Sequence, residues 1–215
     1  NSLVASYRFE GNANDDMRTY DGTATNVTYE YGLNFTPDLV WIKSHDSTDN
    51  HNLIDSSRTA GCFLNTNTTG AEDCNSAHAV IETGGFNTKS NPNNSARDYV
   101  AWAWKANGGT TSSNTDGAVT TTVQVNEQAG FSIVEFSGTG SETTFGHGLG
   151  EKPDIVIIKR LNSTSDWPVY HDLLDGSMDL IYLNSTGTNF NSSRPLFTSS
   201  VFYFVTSGDY IAYAF

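Results

Sequence analysis

The chain has few basic residues, and it lacks long apolar runs. Only 11 of its 215 residues are Lys or Arg, against 24 Asp or Glu, which gives a formal net charge of -13. No basic patch is present to neutralise phosphates, so we expect no nucleic-acid partner and no attraction to an anionic membrane surface. Apolar runs such as residues 155–158 are far shorter than a bilayer span. Membrane insertion is therefore not expected either.

Helical periodicity is also missing, because no stretch of about a dozen residues repeats apolar positions every three or four residues. Nearly every segment instead alternates with period two; Val100, Trp102 and Trp104, for example, alternate with small or aromatic neighbours. Short alternating segments separated by Gly, Asn and Asp turns are typical of β-sandwiches. The predicted strands are residues 3–11, 24–32, 38–44, 51–57, 61–66, 79–86 and 99–105, followed by 118–125, 131–138, 143–150, 154–160, 167–173, 180–185, 201–206 and 210–215.

One phrase occurs twice in the chain. "FTPDLVWIKS" begins at Phe35 and "EKPDIVIIKR" at Glu151, so that Lys43 and Lys159 match at an offset of 116. Later, "DYVAWAW" matches "DYIAYAF" and "CFLNTNTTG" matches "IYLNSTGTN" in the same order, which indicates a tandem duplication. If the two lysines are equivalent, truncating either one should reduce stability by a similar amount.

The duplication sets the predicted organisation. We expect an all-β chain made of two tandem antiparallel β-sandwich modules, of the jelly-roll or concanavalin-like type. Residues 1–106 form the first sandwich and residues 118–215 the second. The polar segment 107–117, "NGGTTSSNTDG", is predicted to be a flexible linker.

The two cysteines leave two alternatives open. Cys62 and Cys74 lie close in sequence, and a disulfide between them would add about 3 kcal/mol of stability in the loop-entropy picture. In the repeat alignment, however, Cys62 matches the apolar Ile181, whereas Cys74 falls near Ser193 in a predicted loop. This comparison favours a buried free thiol at Cys62 over a bridge.

No catalytic motif is present. The sequence has no zinc-binding Cys or His spacing, no phosphate-binding loop and no nucleophile elbow. The Gly-rich stretch 138–150 opens no helix, so we interpret its glycines as tight turns. The histidines of the two copies do not align with each other. We therefore predict no catalytic residues and no enzymatic activity.

Two clusters of carboxylates are candidates for a metal site. One contains Asp15 and Asp16, and the other contains Asp46 and Asp49. Oxygen-rich loops on a β-sandwich are able to hold Ca²⁺, which takes six to eight hard ligands. Neither cluster has the spacing of a calcium loop, and a solvated acidic turn is the commoner outcome. The sequence therefore predicts no cofactor, with Ca²⁺ as the one candidate.

The aromatic residues divide into two groups. Tyr99, Trp102 and Trp104 recur with period two on a strand, which predicts core positions. Trp167 lies beside a proline at a predicted loop-to-strand junction, where an exposed ring would stack on a sugar. Together with Tyr170 and His171, it forms the predicted glycan-binding site.

The quoted motifs also carry a resemblance to known families. Residues 2–32 are similar to the opening strands of concanavalin-like, laminin-G-type lectin domains. The remainder, including "DLVWIK", "YVAWAWKANGG", "GHGLGEKPDIVIIK" and "YIAYAF", resembles β-sandwich modules of tail-fibre and other virion-surface proteins of marine phages, especially those of cyanobacteria. The resemblance implies an extracellular location on a virion and other fibre subunits as partners. It also implies contact with a host polysaccharide or surface protein, and homotrimers as the expected assembly.

Three functional hypotheses follow. The first is a non-enzymatic structural or adhesion module of a phage fibre that contacts host glycans. The second is a carbohydrate-binding module of a secreted bacterial protein, and the third is a capsid decoration or spacer that binds no ligand. The chain begins without Met or a leader and ends inside a predicted strand, so we expect a processed chain or part of a longer polypeptide.

Overall fold

The fold is built from β-strands. A computed structural model describes residues 33, 35–74, 79–88, 97–188 and 190–215. The strands are β1 (Leu39–Ser44), β2 (Asn52–Asp55), β3 (Leu64–Asn65), β4 (Ala79–Glu82), β5 (Gly85–Thr88), β6 (Tyr99–Trp104), β7 (Ser112–Asn114), β8 (Thr121–Asn126), β9 (Phe131–Gly138), β10 (Thr143–Gly146), β11 (Ile155–Arg160), β12 (Pro168–His171), β13 (Asp179–Tyr182), β14 (Phe190–Asn191), β15 (Val201–Phe204) and β16 (Gly208–Ala214). A 3-10 turn at Glu127–Ala129 is the one helical element of the described residues. The all-β prediction is confirmed; the first two predicted strands lie outside the described residues.

Two antiparallel sheets form the centre of the molecule. The first sheet has the order β3-β2-β1-β6, and the second has the order β14-β13-β12-β11-β16-β9-β8-β7. The hairpin β4–β5 packs on the outer face of the first sheet, where Ala79, Ile81 and Phe86 join its core residues. The two-stranded sheet β10–β15 does the same for the second sheet through Phe145 and Phe202. The described fold is therefore layered, with apolar side chains between successive layers.

The two central sheets repeat one pattern of strand pairing. Strands β3-β2-β1-β6 correspond in order to β13-β12-β11-β16. The pair Leu39↔Asp55 in the first sheet becomes Ile155↔His171 in the second when 116 is added to each number. Lys43↔Val100 corresponds to Lys159↔Ile211, with an offset of 116 for the lysines and of 111 for their partners. A shared register places equivalent side chains on equivalent faces, which is what an internal duplication produces.

The two copies share a core, however. Residues of the first sheet such as Leu39 and Leu53 pack directly against Ile133 and Tyr213 of the second sheet. Residues 35–215 form one compact unit. Among the described residues, the central sheets of the two predicted modules therefore face a common interior, and the predicted bounds 1–106 and 118–215 stay a prediction. An apolar sheet face needs a partner, and each copy offers that face to the other.

The predicted linker 107–117 is an ordered connection rather than a flexible one. Its Gly108 and Gly109 amides donate to the buried carboxylate of Asp38, at 3.0 and 2.9 Å. Further along, Ser112–Asn114 forms β7 and pairs with β8. The composition of the segment suggested flexibility, but a carboxylate from the end of the first copy's central strand fixes its backbone.

Candidate functional site

The predicted glycan-binding residues are buried, so that prediction is wrong. Trp167 is completely inaccessible, and its Nε1 donates to the carbonyls of Asn65 at 3.1 Å and Thr68 at 3.2 Å. Tyr170 lies in the core under the outer face of the second sheet, and His171 is also buried. The proline junction was interpreted as exposed, but the segment that follows β3 in the first copy covers the indole.

The second carboxylate cluster is used for internal hydrogen bonds. Asp46 accepts from the Ser44 hydroxyl at 2.6 Å and from the Asp98 amide at 3.2 Å. Asp49 forms an ion pair with Arg97. These contacts fix the turn that follows β1, which is a structural role for both carboxylates.

In the second copy an amide stands at the position of Asp46. There Asn162, which matches Asp46 at the offset of 116, accepts from Arg160 Nε at 2.9 Å and donates to Asp209 at 2.8 Å. An amide therefore serves where the first copy uses an acid. Asp15 and Asp16 lie outside the described residues, and Ca²⁺ binding stays a prediction.

The two cysteines are bonded to each other. Cys62 and Cys74 form a disulfide, which corrects the preference for a free thiol. The error arose from the alignment, since the strand register pairs Leu53 with Leu64 and Val169 with Ile181. Ile181 is thus equivalent to Leu64 and says nothing about Cys62.

The disulfide also bears on a group of three side chains that are potential metal ligands. The side chains of Cys62, Glu72 and Cys74 bring their ligand atoms within 4.8 Å of one another. Metals bind thiolates, and neither sulfur is available as one while the bridge is formed. This group, the one of its kind found in the described part of the chain, is therefore not a metal site in the oxidised protein.

Beside the disulfide, a polar cluster joins the two sheets. We call Asp55, Arg58, Glu72 and Tyr213 the inter-sheet cluster. Arg58 Nε donates to Asp55 at 2.7 Å, and Arg58 Nη1 donates to Glu72 at 2.7 Å. The Tyr213 hydroxyl, which belongs to the second sheet, donates to Asp55 Oδ2 at 2.7 Å. Such charge-assisted bonds are short and strong, and they fix how the copies meet.

The electrostatics of the inter-sheet cluster favour fixed charges. Burial alone would lower the pKa of Arg58, but the adjacent Asp55 raises it above its ordinary value. Burial raises the pKa of the Tyr213 hydroxyl, and Asp55 raises it further. Neither group exchanges protons near neutral pH, so the cluster is suited to holding structure rather than to acid–base catalysis.

A third carboxylate faces this cluster. Glu135 lies on β9, where burial raises its pKa and the charge of Asp55 adds to the effect. Its Oε1 is buried and has no hydrogen-bond partner. Glu135 is thus the member of this region whose ionised form is least supported by its surroundings.

The Gly-rich stretch forms turns, as predicted, and holds a buried histidine. Gly148 adopts a φ of 75°, and a Cβ there would meet Val125 at 2.8 Å. His147 Nε2 lies 3.2 Å from the Thr198 carbonyl, while its Nδ1 accepts from the Leu149 amide at 3.2 Å. These contacts fit a neutral ring with both nitrogens engaged, which leaves none for catalysis.

One end of the core-facing side of the first sheet is partly open to solvent, beyond the point where Leu39 and Trp104 on the same side pack into the shared core. We call Trp41, Lys43, Val100 and Trp102 the open aromatic face, because strand alternation places all four on one side of β1 and β6. Trp102 is 46% exposed, and Trp41 stands edge-on to it with ring centroids 6.0 Å apart. The prediction of a core position is therefore wrong for Trp102.

The same face of the second copy is covered. Tyr213, the equivalent of Trp102, is 1% exposed, and Lys159 and Ile211 are inaccessible. Two parts of the first copy contribute to this cover. Asp55, at the end of β2, accepts from Tyr213, and the carbonyl of Thr69, in the segment after β3, accepts from Lys159 at 3.0 Å. This surface is therefore covered in the second copy, whereas the described residues leave it partly uncovered in the first.

Comparison with protein families gives a match over most of the chain. Residues 13–215 match DUF7483, a domain of unknown function. The chain belongs to this family. No curated protein and no solved structure matches it.

Two features of this DUF7483 chain had weak signals in the sequence. Arg58 and Glu72 lie in the segment between β2 and β4, where period-two patterns say nothing about polar pairing. Trp102 has the same spacing as Trp104, yet Trp104 packs against Phe215 in the shared core.

Proposed function

We propose that this DUF7483 chain is a non-enzymatic structural or adhesion module of a fibre or another virion-surface appendage, and that it contacts host-surface glycans. The observation that carries the proposal is the open aromatic face, with Trp102 exposed on a rigid, doubly layered β-framework. Exposed indoles on rigid strands bind ligands with little loss of conformational entropy.

Other features support a location outside cells. The Cys62–Cys74 disulfide suits an oxidising environment, because thiols are kept reduced in most cytosols. The net charge of -13 disfavours nucleic acid as a partner. The described residues include no helix long and apolar enough to cross a membrane.

A non-catalytic role is supported by the state of the titratable groups. His147 has both ring nitrogens engaged, and Asp55 of the inter-sheet cluster accepts hydrogen bonds from both Arg58 and Tyr213. A carbohydrate-binding module of a secreted bacterial protein is the second candidate, because the open aromatic face supports it equally. The two candidates differ in the attached partners rather than in the binding chemistry.

A binding assay on whole cells tests the proposal. The chain is clustered on fluorescent beads to gain avidity and added to a broad panel of bacterial strains and their extracted polysaccharides, with and without EDTA. Saturable binding to particular strains is the expected result, and its loss in EDTA with recovery in added Ca²⁺ would support the Ca²⁺ site kept as a candidate. Failure to bind any strain or extract would favour a ligand-free decoration or spacer and would overturn the adhesion proposal.

A further inference from the structure

Trp102 is exposed, whereas the equivalent residue of the second copy is not. Its equivalent Tyr213 sits in the same register of the same sheet pattern and is covered. Val100 is only partly buried, whereas its equivalent Ile211 is inaccessible. Trp102 of the first copy is therefore accessible to a ligand, whereas Tyr213 of the second copy is packed against other parts of the chain.

The indole rings of Trp41 and Trp102 contact each other edge to face. Trp41 and Trp102 are direct cross-strand partners, and their planes meet at 64°. The Trp41 Nε1 is buried and donates to no acceptor, so Trp41 is held by packing rather than by a hydrogen bond. The exposed Trp102 ring is consequently supported from one side and open on the other.

Polar groups border the rings on the same side of the sheet. Lys43, two residues from Trp41, extends to the carbonyls of Ser47 at 2.7 Å and Asp49 at 3.2 Å. Asp49 is in turn paired with Arg97. An apolar plate beside polar groups on rigid strands matches a pyranose ring, which has an apolar C–H face and hydroxyls around its edge.

The charged side chains near the open aromatic face favour an uncharged ligand over an anionic one. Lys43 and Arg97 are both engaged by oxygens of the turn after β1, so neither is free to neutralise an anion. A nucleotide would bring phosphates to a protein of net charge -13. An uncharged ring is the ligand that suits this surface.

From these features we propose that the open aromatic face is a glycan-binding site, in which Trp102 stacks on an uncharged sugar ring and Trp41 supports it. This inference rests on the proposed function and assigns its glycan contact to β1 and β6. It replaces the site around Trp167, which is buried.

The test uses the whole chain and defined neutral oligosaccharides. Hexasaccharides of glucose in different linkages, of mannose, of xylose and of N-acetylglucosamine are titrated while tryptophan fluorescence and saturation-transfer NMR are recorded. Saturable binding of at least one sugar is expected, with a loss of about tenfold or more in affinity for Trp102→Ala. Trp102→Tyr, which keeps an aromatic plate, is expected to retain binding.

Leu174→Ala is the matched control, because Leu174 is 69% exposed and lies on the turn after β12 rather than on β1 or β6. Thermal unfolding of each variant shows whether it keeps its fold. Absence of binding to every sugar, or equal affinity of folded Trp102→Ala and the parent chain, would overturn the inference. Self-association that Trp102→Ala abolishes, without sugar binding, would overturn it too and would identify the face as an interface between copies.

The cell assay separates this inference from the proposed function. If the clustered chain binds cells and Trp102→Ala binds them equally, adhesion stands and the assignment to Trp102 fails. If neutral sugars bind through Trp102 but no cell is recognised, the site stands and the adhesion proposal fails.

Discussion

The hydroxyl of Tyr213 donates a 2.7 Å hydrogen bond to the carboxylate of Asp55, and both side chains are buried. Tyr213 lies on β16 of the second sheet, and Asp55 ends β2 of the first. The contact therefore bridges the two copies of the repeat across their common core. Arg58 shares the same carboxylate and balances its charge.

Replacing Tyr213 by Phe should destabilise the protein by about 1.5–3 kcal/mol, the usual contribution of a hydrogen bond to a charged group. The ring and its packing are retained, so the loss reports on the hydroxyl alone. Chemical unfolding measures the difference. Tyr203→Phe on β15 is the control, because the Tyr203 hydroxyl makes none of the described hydrogen bonds; equal losses for the two variants would contradict the assigned role.

Glu135→Gln should stabilise the protein at neutral pH by roughly 1 kcal/mol, because it removes a poorly supported charge beside Asp55. Burial raises the pKa of Glu135 in the folded state. A raised folded pKa means that the proton stabilises the fold, so stability is fully present below the ordinary Glu pKa. It is lost as pH rises through the folded value. Melting temperatures of the parent and variant from pH 4 to 8 should diverge with rising pH; parallel curves would count against this account.

Much of the strand layout was predictable, because a half-exposed strand records its two faces in its own sequence. Residues 131–138 were predicted as a strand, and β9 occupies the same range. Residues 143–150 were predicted as one strand, but β10 ends at Gly146 because the next residues turn around His147. Alternation alone does not register such a turn when apolar residues continue through it.

The partner of each face was not predictable. Alternation shows that Trp102 and Trp167 lie on particular faces, but it does not show which loop covers them. Trp167 is covered by a segment about a hundred residues away in sequence, through Asn65 and Thr68. Long-range contacts of this kind depend on how the two copies meet, and neither copy carries that information by itself.

His147 should make the fold sensitive to acid. Burial lowers the pKa of its ring. Since the folded state disfavours the protonated ring, the stability contributed by the neutral form is present above the ordinary His pKa. It is lost as pH falls through the folded value. His147→Gln should flatten the dependence of the melting temperature on pH between pH 7 and 5. An unaltered slope in His147→Gln would show that other groups control the acid response.

The disulfide should contribute to stability by restricting the unfolded chain. Cys62 and Cys74 are separated by 12 residues, for which the loop-entropy picture gives about 3 kcal/mol. The double variant Cys62→Ser, Cys74→Ser should lose about that amount in chemical unfolding. Dithiothreitol should destabilise the parent chain and leave the double variant unaffected; an effect of the reductant on both would place its action elsewhere.

Lys43 and Lys159 occupy equivalent positions but should not contribute equally. Lys159 is inaccessible; its Nζ donates to Ser165 O at 2.5 Å and Thr69 O at 3.0 Å, and it lies 5.5 Å from the centre of the Trp167 ring. Lys43 is only partly buried. Lys159→Ala should therefore cost about 2–4 kcal/mol, because it leaves two carbonyls without their donor and opens a cavity. Lys43→Ala should cost about 1 kcal/mol or less.

The pH dependence of Lys159 gives a second, independent readout. Burial lowers its pKa to about 8, with the charge of Asp166 opposing the shift. The folded chain thus favours the neutral amine more than the unfolded chain does. The stability that this difference contributes is fully present above the ordinary Lys pKa and is lost as pH falls through about 8. Stability of the parent chain should rise from pH 8 towards 10, and Lys159→Met should abolish that rise while Lys43→Met preserves it. Equal losses and equal slopes for the two lysines would mean that the symmetry of the repeat outweighs the difference in burial.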